Sequence, residues 1–90
     1  MSRREVTVVN RLGLHARAAA RFVQLAGQYR STVRVAVGER VMDGKSILGL
    51  LLLAAAQGTL LVIETEGVDA DVALTALVEL VERGFEETPR

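Results

Sequence analysis

His15 lies in the stretch NRLGLHARAAARF, residues 10–22, two residues ahead of Arg17, and it is the only histidine in the chain. It stands where a loop passes into a helix-forming run of alanines. Positions 14–16 are Leu, His and Ala, so no Ser, Thr, Asp or Asn is present to cap the helix start. The first amides of that helix need an acceptor and carry partial positive charge. Such an end is suited to an anion, phosphate above all. Arg17 adds a planar, permanently charged fork for phosphate oxygens, and Arg11 and Arg21 are within reach of the same region. The same partial charge disfavours imidazolium and biases His15 toward its neutral, nucleophilic form. If the ring gained a phosphoryl group, the amides of Ala16, Arg17 and Ala18 and the Arg17 side chain would stabilise the new oxygens.

These residues leave a plainer reading open, a surface histidine that caps the helix by accepting from a backbone amide. A metal site is disfavoured because there is no cysteine and no second histidine. No nucleophile elbow marks a hydrolase. Gly13, two residues ahead of the histidine, permits a sharp turn that aims the ring, or is an ordinary loop glycine.

A second feature is DGKSILGLLLLAAAQG, residues 43–58. Ser46 fits an N-cap before an apolar run. The helix that follows is apolar almost all round, and a domain this small hardly encloses such a helix. A stripe of Ile47, Leu50, Leu53 and Ala54 is expected to face inward. Leu48, Leu51 and Leu52 then stay partly exposed, which suggests a docking patch. Phosphate on Ser46 would be tolerated at a helix N-terminus, yet would set about two negative charges beside that patch.

These features need a frame. Alternation predicts strands over residues 4–9, 32–37, 40–43 and 59–66, with Val6 and Val8 on one face and Val33, Val35 and Val37 on another. Gly38-Glu39 reads as a hairpin turn. Helical spacing covers residues 16–28, with Ala19, Phe22, Val23 and Ala26 inward, and Gly27 as a stop. The apolar helix is expected to run through Ala56 to a stop at Gly58. Asp69 is expected to cap a last helix to about Arg83, with Gly84 just beyond. The tail, residues 86–90, is expected to fray. The order β-α-β-β-α-β-α predicts two layers, with helices on one face of a mixed or antiparallel sheet.

Composition narrows the function. Eleven basic and eleven acidic residues balance to a net charge of zero, so no global field draws in nucleic acid. Two Phe and one Tyr are too few for a base-stacking platform. The longest near-apolar run, residues 47–56, is about half a membrane span, and the N-terminus has no signal-peptide pattern. A soluble cytoplasmic domain is expected. Basic residues gather around the histidine and acids in the C-terminal third, an arrangement suited to acidic protein partners.

GLHARAA at residues 13–19, followed by GKSILGL at residues 44–50, resembles the HPr family of the bacterial phosphoenolpyruvate-dependent phosphotransferase system. The similarity covers essentially the whole chain. It implies a single α+β domain over residues 1–90, an open-faced β-sandwich with a four-stranded antiparallel sheet and three helices on one face. It implies that His15 takes a phosphoryl group on Nδ1 from phospho-enzyme I and passes it to an enzyme IIA domain. The chain would then be a carrier rather than a turnover enzyme, a monomer with no cofactor or metal. Arg17 matches the family arginine beside the phosphohistidine. Ser46 matches the serine modified by HPr kinase/phosphorylase in many members. Ala20, Gln24, Ile47, Leu48 and Leu51 match the docking surface. One position departs from the pattern, since Ala18 stands where the family usually has proline. Ala18 and the ending ERGFEE look like the nitrogen-type branch, which relays phosphate for regulation. Two other functions remain open at this point, an interaction module governed by Ser46 and an anion-binding domain that forms no adduct.

Overall fold

The computed structural model describes residues 1–86. Strands β1 (Ser2–Thr7), β2 (Thr32–Val37), β3 (Arg40–Asp43) and β4 (Leu60–Glu66) alternate with helices α1 (Ala16–Ala26), α2 (Ile47–Leu52) and α3 (Ala70–Glu82). A short 3₁₀ turn, Gly84–Glu86, follows α3. The strands form one sheet in the order β1-β4-β2-β3, and every neighbouring pair is antiparallel. The three helices cover one face, so the arrangement is the α+β open-faced sandwich.

The sheet follows from its alternating residues. Val6 pairs with Leu61, and Val35 lies between Ile63 and Met42. A period of two turns all of these toward the helices. Val6, Val33, Val35, Leu61 and Ile63 are buried, whereas the intervening Arg3, Glu5 and Arg34 are exposed. Phe22 of α1, Leu50 of α2 and Leu77 of α3 close the core from the other side. At the bend between β3 and α2, a side chain on Gly44 would lie 2.4 Å from Val33 Cγ1. Only glycine lets this bend ride on β2, where the Gly44 amide donates to the Val33 carbonyl at 2.7 Å.

Three expectations require correction. Strand β1 begins at Ser2 and ends at Thr7 rather than spanning 4–9, although Val6 and Val8 are both buried as the alternation requires. Helix α2 ends at Leu52 instead of Ala56. Its last turn tightens through Leu53 N–H to Leu50 O and Ala54 N–H to Leu51 O, and Ala54 then enters the left-handed region at φ 52°. Of the expected inward stripe only Leu50 and Leu53 are buried; Ile47, at the start of α2, and Ala54, past its end, are exposed. Asp69 stands at the N-cap position of α3 but makes no side-chain cap. Of the expected frayed tail, residues 87–90 lie outside the described residues.

The Asp69 carboxylate turns instead to the start of β2. It accepts from the amides of Arg30 and Ser31, at 2.9 Å each, and from the Ser31 hydroxyl. Several donors outcompete the single capping amide it gives up. The Ser31 hydroxyl contributes most, with the amides of Arg30 and Ser31 beside it, and together they hold the carboxyl down from 3.8 to about 2. The folded state therefore favours the charged carboxylate more than the unfolded chain does. The resulting stability is complete above the unfolded value near 4 and is lost as pH falls toward 2. Urea midpoints measured between about pH 5 and 2 are expected to fall with acidification, and Ser31→Ala is expected to flatten that fall. An unchanged slope in the variant would remove this link.

Candidate functional site

His15 is the N-cap of α1, with extended backbone at φ −82° and ψ −178°. Its carbonyl accepts the first helical bond, from Ala19 N–H at 2.8 Å. Its ring Nδ1 accepts from the Arg17 amide at 3.3 Å. The plainer reading of a histidine that caps the helix by accepting from a backbone amide holds, so the helix start is not without an acceptor. The accepting geometry places the lone pair on Nδ1 and the neutral ring's proton on Nε2. The bond is long for N–H donors, so it orients the ring while being readily exchanged for a stronger acceptor. Ala16 and Ala18 lie on the same first turn, at N1 and N3, and Ala18 is fully buried.

The loop ahead of the histidine is built to hold it. Asn10 Nδ2 donates to the Gly13 carbonyl at 2.8 Å, and the Gly13 amide returns to the Asn10 carbonyl at 3.2 Å. Gly13 has φ +69°, and a Cβ there would sit 2.4 Å from the Ala55 carbonyl oxygen. Glycine is required on both counts. Leu14 is buried, and its amide donates to the same Ala55 oxygen at 2.8 Å. The chain is therefore pinned on both sides of His15, by a core side chain and tertiary bond before it and by the first turn of α1 after it. The ring is left half-buried.

The arginines separate. Arg17 is exposed at the helix start. Arg21, one turn on, is occupied elsewhere, since its Nη1 donates to the Phe85 carbonyl at 2.6 Å. Phe85 is buried at φ 57°, and no local signal in the sequence indicated that this backbone oxygen would lie beside α1. Arg11 is exposed, and only Arg17 shares the first turn with the ring.

Ser46 caps α2 as expected, with Oγ accepting from the Gly49 amide at 3.0 Å. The neighbouring Lys45 reaches the Tyr29 carbonyl at 2.8 Å, beyond the C-terminal end of α1, and so ties α2's entrance to α1. Ile47, Leu48, Leu51 and Leu52 are exposed, with Leu48 retaining 67 % of its accessible surface. On α1, Ala20 is half-buried and Gln24 exposed. The structure adds Leu12, also 67 % exposed, in the loop that carries the histidine. Its position was hidden because a leucine in a short loop has no periodicity to assign it a face.

The chain is similar to known proteins over nearly its whole length. The profile of a family described as "PTS HPr component phosphorylation site" matches residues 2–83. Phosphocarrier protein HPr of Pseudomonas aeruginosa is 54% identical over 84 residues, covering 92% of this chain and 93% of the relative. Phosphocarrier protein NPr of Shewanella violacea is 40% identical over 84 residues, 93% of this chain and 92% of the relative. The crystal structure of HPr-C-His from Thermoanaerobacter tengcongensis superposes with a TM-score of 0.94 at 37% identity, covering 99% of this chain and 100% of that one.

The Ser46 cap leads to a measurable expectation. Ser46→Ala is expected to lower stability by about 1 kcal/mol, whereas Ser46→Asp, which keeps an acceptor oxygen, is expected to lose less. Chemical denaturation of the three proteins checks the order.

Proposed function

Because the chain belongs to the HPr family of phosphotransferase-system phosphocarriers, we propose that His15 is its phosphoryl acceptor, loaded by phospho-enzyme I and discharged to an enzyme IIA domain. The observation that carries this assignment is the Nδ1 lone pair held at the start of α1 by the Arg17 amide. In the loading step, Nδ1 forms a bond to phosphorus while the donor's bond to that phosphorus breaks, and the donor keeps the electron pair. The ring retains its Nε2 proton. The Arg17 amide loses its acceptor when Nδ1 is substituted, and a phosphoryl oxygen replaces it. The amides of Ala16 and Ala18 and the Arg17 guanidinium are the further donors we assign to those oxygens. Discharge reverses these exchanges and restores the Nδ1 cap.

The apolar surface of Ile47, Leu48 and Leu51, with Ala20 and Gln24 of α1, is the docking face in this proposal. Exposed leucines bury against an apolar partner surface, and Arg17 meets acidic groups around it. The carrier works in the cytoplasm, and its acceptor is an enzyme IIA domain in either a sugar-transport or a nitrogen-type chain. No described helix is long and apolar enough to cross a membrane. Ser46 is the proposed target of an HPr kinase/phosphorylase. A phosphate there still offers an oxygen to the Gly49 amide, so the fold persists while charge beside Leu48 opposes docking.

Incubation with enzyme I and phosphoenolpyruvate is expected to add one acid-labile phosphoryl group, detected by intact mass. His15→Ala is expected to take up none, and uptake by that variant would refute the acceptor assignment. Arg17→Ala is expected to lower kcat/KM for transfer by about a hundredfold. Leu48→Asp and Ser46→Asp are each expected to raise KM for enzyme I, the first by roughly tenfold, with circular dichroism unchanged.

A further inference from the structure

We propose that Ala54 is a positioning residue for the phosphoryl acceptor. Its left-handed backbone turns the Ala55 carbonyl onto the Leu14 amide and so registers His15 against the docking leucines of α2. The proposal rests on the assignment of His15 as acceptor. Ala54 has φ 52°, in the region that L side chains other than Asn and Asp rarely adopt. Its methyl group is exposed, so no packing of that side chain accounts for the conformation. The residues around it favour the opposite outcome, because Ala54, Ala55 and Ala56 would readily prolong α2. Strained backbone of this kind persists only where surrounding contacts hold it.

Those contacts converge on one atom. The Ala55 oxygen accepts from Leu14 N–H at 2.8 Å and lies 2.4 Å from where a Gly13 Cβ would be. The Ala55 side chain is buried. On its other side, the Ala54 amide closes the last turn of α2 on the Leu51 carbonyl at 3.1 Å. Ala54 is thus the joint between the helix that presents Leu48 and Leu51 and the carbonyl that pins the residue before His15. Were Ala54 right-handed, α2 would continue and the Ala55 carbonyl would point along the helix axis, away from Leu14. Partner docking and ring placement are then mechanically one unit.

The test compares Ala54→Gly and Ala54→Asn, which tolerate the left-handed region, with Ala54→Val, which does not. Transfer from enzyme I and the ring ¹⁵N signals of His15 are measured on each full-length protein. Gly and Asn are expected to keep wild-type kcat. Val is expected to lower kcat by about tenfold to a hundredfold, with KM changed less than about twofold, and to shift the Nδ1 signal. Ala54→Leu, which strains the backbone less, is expected to move both readouts in the same direction if the valine variant does not fold. Gly13→Ala strikes the same carbonyl from the other side, so its loss is not expected to multiply with that of Ala54→Val. A folded Ala54→Val or Ala54→Leu protein with wild-type kcat and His15 signals would overturn the positioning role, as would multiplicative losses. No phosphoryl uptake by the unaltered chain would instead overturn the acceptor assignment beneath it.

Discussion

The amide of Leu14 donates to the carbonyl of Ala55 across 2.8 Å, between residues 41 positions apart in the chain. This bond joins the loop ahead of α1 to the segment that leaves α2. Leu14 itself is buried, so the loop is held by side-chain packing and by backbone together. His15 follows at once and has little freedom except at its ring. Gly13, by having no side chain, lets the two backbones come this close. The placement of the ring, the start of α1 and the presentation of the α2 leucines all depend on this meeting of two loops.

One nitrogen then serves two purposes. Nδ1 of His15 satisfies an amide at the helix start, and it is the atom proposed to receive phosphorus. A bonded phosphoryl group removes the lone pair but brings oxygens to the same place. Side-chain caps contribute on the order of 1 kcal/mol, and hydrogen bonds to an ionised acceptor are roughly twice as strong as neutral ones. The helix start is satisfied in the unmodified state, and in the proposed phosphorylated state it would be better satisfied. Neither state would leave the Arg17 amide without an acceptor, which suits the proposed role of a group gained and given up.

Elsewhere the helix ends are supplied from a distance. None of the three helices has a basic residue in its last turn. Lys45 reaches the Tyr29 carbonyl beyond α1, and Arg40 reaches the Leu52 carbonyl at the end of α2 at 3.0 Å. Each cation meets the negative end of a helix and ties it to another part of the chain. Arg21 makes the same kind of link from α1 to Phe85. Asp69 is the acidic counterpart, spending its carboxylate on Ser31 and Arg30 rather than on its own helix. The Lys45 bond ties the entrance of α2 to the end of α1, and the Arg21 bond ties α1 to the turn after α3.

The sequence by itself determined the alternation that builds the sheet, the order of its elements, and His15 with Arg17 at a helix start. It also determined Ser46 as a cap. These are local facts, written in side-chain period and in the chemistry of a few neighbouring residues. Only the tertiary structure decided where α2 stops, because Ala54 to Ala56 favour helix and yield to a carbonyl needed by Leu14. Only it decided that Arg21 would leave the site, that Asp69 would forgo its cap, and that Leu12 would be exposed. For the end of α2, Arg21 and Asp69 the deciding partner lies far along the chain: the Leu14 amide, the Phe85 carbonyl, and the Ser31 hydroxyl with the Arg30 and Ser31 amides. Every residue other than proline carries the same backbone donor and acceptor, so residue types alone cannot show which distant pair will meet.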